Sequence, residues 1–287
     1  MLFPRPSIAS AVALLASSAL VQPVLAQVYT DCDPLLKKCP PNAALASDAT
    51  FHFNSTPKAS VWESRNQGEV KYSDENGASF IVARKGDAPT LRSRFYFFWG
   101  RVEIMMKTAH GKGMISSIML VSDCRDEIDW EIRGIDKHDV LTNYFSKGVE
   151  DFTRGESHPV PGNLQTEWHN YTIEWTKDAL DFYINSQKVR TLLPKDANNT
   201  QAYPQTPMQV SIGPWAAGHA GAAEGTKEWA GGEIDFNEGP FAMHIKSVQV
   251  TDYSKAREYV YGDKTGSWES IKMVEYVVPP HYLRPSN

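Results

Sequence analysis

The chain has little cysteine, no surplus of positive charge and almost no long apolar stretch. Three cysteines in 287 residues exclude a disulfide-dense scaffold, in which covalent bridges replace a small core. Lys and Arg number 29 against 34 Asp and Glu, a formal net charge of -5. That balance argues against a nucleic-acid partner, which calls for a basic face. No histidine cluster accompanies the cysteines, so neither a metal nor a cofactor is expected. The only sustained apolar run, Ile8 to Leu20, falls short of the ~20 residues that a membrane span needs. Internal repeats, low-complexity linkers and helical stripes longer than two turns are also missing.

Residues 1–26 instead read as a secretory signal. Arg5 supplies a positive start, the apolar run follows, and Val24 to Ala26 offer small or modest residues for cleavage before Gln27. The main domain is expected over 27–270, with 271–287 as a C-terminal tail whose end, Val277 to Asn287, is polar and Pro-rich and lacks the hydrophobic stretch of a lipid-anchor signal. In an oxidising compartment Cys32 and Cys39 are expected to close a small loop. Cys124 is then left over, expected as a free, shielded thiol in preference to an intermolecular bridge or a catalytic thiol. Asn54, Asn170 and Asn198 each open an Asn-x-Ser/Thr sequon.

What the chain does contain is β-pattern and aromatics: 8 Trp, 12 Tyr and 12 Phe, enough to fill a β-core or to stack on sugar rings. Phe80 to Arg84, Phe95 to Lys107 with a break at Gly100, and Ile115 to Ser122 read as strands. Trp168 to Thr176 and Leu180 to Ser186 alternate, and a turn at Lys177 and Asp178 makes them a hairpin. Met208 to Ile212 and His244 to Val250 complete the set. Short strands at this spacing predict an all-β sandwich of two stacked antiparallel sheets.

The most informative stretch is 126–131, Asp-Glu-Ile-Asp-Trp-Glu. In a strand Glu127, Asp129 and Glu131 share one face, and Ile128 and Trp130 point the other way. Three like charges in a row oppose folding. The bland reading is a solvated acidic edge strand. The chemical reading is glycosidic bond cleavage, in which one carboxyl attacks and another protonates. On a flat strand the outer two Cα atoms stand about 13 Å apart, so the carboxyls must lean together, and a concave sheet helps. Close carboxylates cannot all ionise, so a proton should be retained near neutrality.

A second constellation follows Gln209. Trp215 and Trp229 flank a small-residue loop; each is either a sugar platform or a core residue. Residues 143–148 add an aromatic and polar cluster after the acidic strand. Tyr144 and Trp229 are candidates for the acceptor side of a cleft, with Trp215 nearer the donor.

The acidic triplet resembles the Glu-x-Asp-x-Glu signature of glycoside hydrolase family 16, in the form without an extra residue before the last Glu. More closely, the chain is similar to the fungal Crh-type cell-wall transglycosylases. Five segments carry that likeness: Cys32 to Pro40, Phe95 to Gly100, Ser122 to Glu131, Thr142 to Gly148 and Glu228 to Gly232. The likeness runs from about residue 30 to 270. It implies a concave β-jelly-roll that cuts a chitin donor and joins it to a β-1,3-glucan or chitin acceptor. It implies Glu127 as nucleophile, Asp129 as its helper and Glu131 as acid/base. Trp215 and Thr226 fall where relatives contact chitin. Ser211 stands where a longer polar or basic side chain is expected. Many relatives carry a Ser/Thr-rich stalk and a lipid anchor; with neither in view, the expectation is a secreted protein of the medium or the wall. The rival readings are a β-glycan hydrolase on the same fold and a silent carbohydrate-binding module, the latter disfavoured because binding alone needs no carboxylate row.

Overall fold

The computed structural model describes residues 30–197 and 202–275. The expected signal at 1–26, Asn198 and most of the expected tail lie outside them. Strand alternation builds two large antiparallel sheets. The first has seven strands: β1 (Trp62–Arg65), β2 (Thr90–Ser93), β3 (Met114–Ser122), β4 (Glu127–Arg133), β5 (Asp139–Phe145), β6 (Glu156–Pro159) and β7 (Met208–Ala216). Their order across the sheet is β6-β5-β4-β3-β7-β2-β1. Its centre is a meander, β3-β4-β5, which β7 joins after an excursion through the other sheet.

That other sheet stacks on the first. Its central strands are Gly100–Lys107, His169–Trp175 and Phe241–Asp252. Gly100–Lys107 alternates buried and half-buried residues along its whole length, as a strand with one face on a core must. The hairpin expected at 177–178 is present, with Trp175 opposite Leu180. Three strands absent from the sequence expectation, β1, β2 and β6, are four residues each, too short for alternation to rise above chance.

The acidic strand β4 is central to both layers. Ile128, Trp130 and Ile132 are fully buried between the sheets. Trp130 meets Tyr171 and Phe182 of the second sheet edge-to-face, with ring centroids 5.6 and 5.2 Å away. The sheets are thus locked together directly beneath the carboxylate row.

Cys32 and Cys39 are bridged, and Asp33 inside their loop pairs with Arg125 at 3.0 Å. Cys124 is a free, buried thiol; burial pushes its pKa up, away from the thiolate. It sits in the turn before β4. Strand pairing continues past residue 270. Ile271–Val274 pair with Glu258–Tyr261, which in turn pair with Asn42–Ala43, in a small third sheet. Within it Ile271 is buried, while Lys272 and Met273 are both exposed. Among the described residues no helix is long and apolar enough to cross a membrane.

Because Trp130 joins the two sheets, Trp130→Ala should lower the unfolding free energy by about 3–5 kcal/mol. Equilibrium urea denaturation of the full chain measures this.

Candidate active site

Strand β4 lies between β3 and β5, and register decides what shares the acidic face. Glu127 stands opposite Phe145 and Val121, Asp129 opposite Asn143 and Met119, and Glu131 opposite Leu141 and Ser117. On β7, Ser211 is opposite Met119 and Gly213 opposite Ser117; Arg92 of β2 is opposite Ser211. A single row therefore crosses the sheet: Asn143, Asp129, Met119, Ser211, Arg92.

The residue before the row is latched. Asp126 is fully buried and its carboxylate accepts four hydrogen bonds. The donors are the Ser146 hydroxyl at 2.7 Å, the Lys147 amide at 3.1 Å, the Gln205 amide at 2.9 Å and the Thr206 hydroxyl at 2.6 Å. Its own amide donates to Ser122 Oγ at 2.9 Å. Two loops and the end of β3 therefore hold the backbone that presents Glu127, the kind of rigid support that a reacting group requires.

The row is close to dry. Glu127 is 6% and Asp129 1% exposed, and Glu131 is half-buried. Desolvation raises all three pKa values. Glu127 moves to about 7; a hydrogen bond from Asp129 and the positive charge of Arg92 oppose the rise, and Glu150 adds to it. Glu131 moves to about 8 through burial and then the charge of Glu127. Asp129 is held well above the ordinary carboxylate range by burial and by both flanking glutamates. Asp129 thus keeps its proton and donates it to Glu127, which ionises first, while Glu131 stays protonated. One nucleophile and one acid at the same pH is the division of labour that paired carboxyls need.

Trp215 stands on β7, and its indole N–H donates to Ser117 Oγ at 3.1 Å, beside Glu131. Its ring stacks on Trp229 at 6.2 Å with an interplanar angle of 29°. Trp229 closes a short helix, α1 (Glu224–Trp229). Arg133, next on the acidic face of β4, donates to the Trp229 carbonyl at 3.3 Å. Thr226 is three residues earlier on α1, on the same side as Trp229. Both tryptophans are half-buried and pack on a satellite cluster of Ile115, Ala217 and Ala230, apart from the main core. Trp215, Thr226 and Trp229 therefore gather on one side of the row.

Two expectations change. Tyr144 is opposite Ile128, not opposite an acid, so it faces the core, where it is buried. The Arg154 and Arg190 guanidiniums lie 5.2 and 5.6 Å from its ring. Side-chain parity is the reason: residues 143 and 145 face the acids, and 144 cannot. Ser211 does sit in the row, but it is fully buried and its hydroxyl has no hydrogen-bond partner among the described residues. Sequence reading also passed over Asp126, Arg92 and Phe145. Counting outward by twos from Glu127 across the hairpin would have found Phe145. Asn54 is exposed, with its amide 3.1 Å from Asp74. Asn170 lies within a strand, its carbonyl accepting from Thr172 Oγ1 at 2.7 Å.

A sequence profile described as Glycosyl hydrolases family 16 matches residues 58–231. Crh-like protein 4 of Aspergillus fumigatus is 46% identical over 262 residues, covering 91% of this chain and 56% of that protein. Crh-like protein 3 of the same organism is 45% identical over 88% of this chain and 69% of its own length. The chain spans little more than half the length of the first of these relatives. Among solved structures, an apo Crh5 transglycosylase matches with a TM-score of 0.80 and 46% identity, over 84% of this chain and 100% of that one. The same enzyme in complex with NAG matches equally well. With the buried acidic row in the matching region, this chain belongs to glycosyl hydrolase family 16 and, within it, to the Crh-like proteins.

Proposed function

We propose that the protein is a retaining transglycosylase. It cleaves a chitin donor and transfers the released chain to β-1,3-glucan or to another chitin chain, outside the cell or in its wall. The observation that carries this reading is the carboxylate row with its graded proton affinities, supported by the likeness to a Crh5 transglycosylase that binds NAG. A binding module would gain nothing from desolvating three acids.

The cycle has two displacements. First, ionised Glu127 attacks the donor's anomeric carbon. The C1–O bond to the leaving sugar breaks as Glu131 gives that oxygen its proton, and a glycosyl ester forms on Glu127. Asp129, protonated, hydrogen-bonds Glu127 and orients it. Second, Glu131, now a carboxylate, takes the proton of an incoming hydroxyl. That oxygen bonds to C1, the ester C1–O bond breaks and Glu127 is freed. Water in the second step gives hydrolysis; a sugar hydroxyl gives transfer.

Glu127→Gln should abolish turnover in a folded protein, leaving less than a few per cent. Glu131→Ala should recover with added azide on a donor with a good leaving group, because the small anion needs no general base. Azide product detected by mass spectrometry supports the acid/base role; its absence removes Glu131 from it.

Two pH dependences follow. Turnover needs Glu127 ionised and Glu131 protonated, so kcat/KM should rise with pH through about 7 and fall through about 8. The two limbs belong to the coupled pair, and Glu127→Gln cannot report them; the parent profile does. Stability runs one way. Raised folded-state pKa values mean that the native state binds more protons than the unfolded chain. Stability present below the unfolded pKa is therefore lost as pH climbs through the folded values. Urea midpoints should fall from about pH 5 to about pH 9, and Asp129→Asn should flatten that slope.

A further inference from the structure

Transfer between unlike chains needs sugar-binding surface on both sides of the acidic row. The tryptophan pair and Thr226 occupy only the β7 side. Across β4 lies β5, then the loop that leads into β6. Phe145 on β5 is directly opposite Glu127 and, though buried, is no part of the main core cluster. Its ring meets Phe152 edge-to-face, with centroids 5.9 Å apart and planes at 73°. Phe152 itself is 67% exposed, and Val149 of the same loop is 60% exposed.

An exposed phenylalanine is costly on a floppy loop, but this loop is held. Phe152 opens a short 3-10 turn, Phe152–Arg154, capped by Asp151, which accepts from the Thr153 amide at 3.1 Å. Asp151 also pairs with Arg154 at 3.0 Å, and Arg190 donates to the Arg154 carbonyl at 2.7 Å. The turn straddles the end of the sheet: Phe152 rests over Phe145 on the acidic face, and Arg154 lies over Tyr144 on the opposite face. In the same loop, Glu150 has a buried carboxylate oxygen without a hydrogen-bond partner among the described residues, and its charge is felt at Glu127. A carboxylate oxygen can only accept. A sugar hydroxyl beside Glu127 would supply the missing donor.

We propose that Phe152, supported by Phe145, is the platform on which the acceptor chain stacks its pyranose face, with Glu150 accepting from an acceptor hydroxyl. This deepens, and rests on, the transglycosylase reading. The rigid ring offers a preformed apolar face at little entropic cost. It holds the acceptor at high effective concentration beside the glycosyl ester. The acceptor hydroxyl then bonds to C1, its proton passes to Glu131, and the bond to Glu127 breaks.

The test compares the full-length parent with Phe152→Ala, Phe152→Tyr and Trp215→Ala, each checked by circular dichroism. A chitin oligosaccharide is the donor; labelled β-1,3-gluco- and chitin oligosaccharides are the acceptors. Phe152→Ala should raise the acceptor KM and lower the transfer-to-hydrolysis ratio by about fivefold or more, and Phe152→Tyr should restore both. Trp215→Ala should raise the donor KM instead. Values for Phe152→Ala within about twofold of the parent for both acceptors overturn the proposal. A turnover-free arm titrates the β-1,3-gluco-oligosaccharide against Glu127→Gln with and without Phe152→Ala. Weaker binding in the double variant supports the platform; equal binding, or none in either, overturns it. If the parent makes only shorter chitin fragments with acceptor in excess, the transglycosylase reading fails, and the titration still decides whether Phe152 holds a sugar.

Discussion

Two buried carboxyl groups and a half-buried third stand side by side on a strand whose opposite face is core. Everything else around them answers that constraint. Their mutual repulsion and lost hydration would expel them from water-free surroundings if all ionised. They stay because the row retains protons: Asp129 keeps one between its neighbours, and Glu131 ionises after Glu127. The same burial that burdens the fold sets a carboxyl that ionises first beside one that keeps its proton longer. Arg92, reaching the face from two strands beyond β3, tilts the balance toward an ionised Glu127.

Holding such a row demands rigidity behind and beside it. Behind, Trp130 is wedged between Tyr171 and Phe182 of the second sheet. Beside, Asp126 collects donors from residues 146, 147, 205 and 206, so the exit from β5 and the approach to β7 end on one carboxylate. The bridged loop at Cys32 and Cys39 adds to this through Asp33 and Arg125. Arg125 adopts a left-handed backbone, φ 61°, in the tight turn that delivers Asp126. Its carbonyl accepts from the Gly148 amide at 2.9 Å, and a side chain at Gly148 would run into the Arg125 guanidinium. The disulfide loop, the turn before Glu127 and the loop bearing Glu150 and Phe152 are mechanically one assembly.

The cleft is asymmetric. Toward β7 it presents two stacked indoles, anchored by Ser117 and Arg133. Toward β5 and β6 it presents a phenylalanine pair and a carboxylate on a capped turn.

Sequence alone determined whatever depends on local period and local spacing. The Glu127, Asp129, Glu131 row follows from the two-residue repeat of a strand. The Cys32 and Cys39 pair follows from proximity in the chain, and the hairpin at 177–178 from two alternating runs and a turn. Tertiary structure decided what depends on register and on distant packing. A single step of parity moved Tyr144 from the cleft to the core and put Phe145 opposite Glu127. Trp229 joined Trp215 on one side because α1 folds back over β7 and is tied to Arg133, 96 residues away in sequence. Ile271–Val274 became a strand because Glu258–Tyr261 offered an edge to pair with. The proton affinities also belong to the fold: the acids are written in the sequence, but only the neighbouring strands and the loops packed around their face remove the water that would have kept them ordinary.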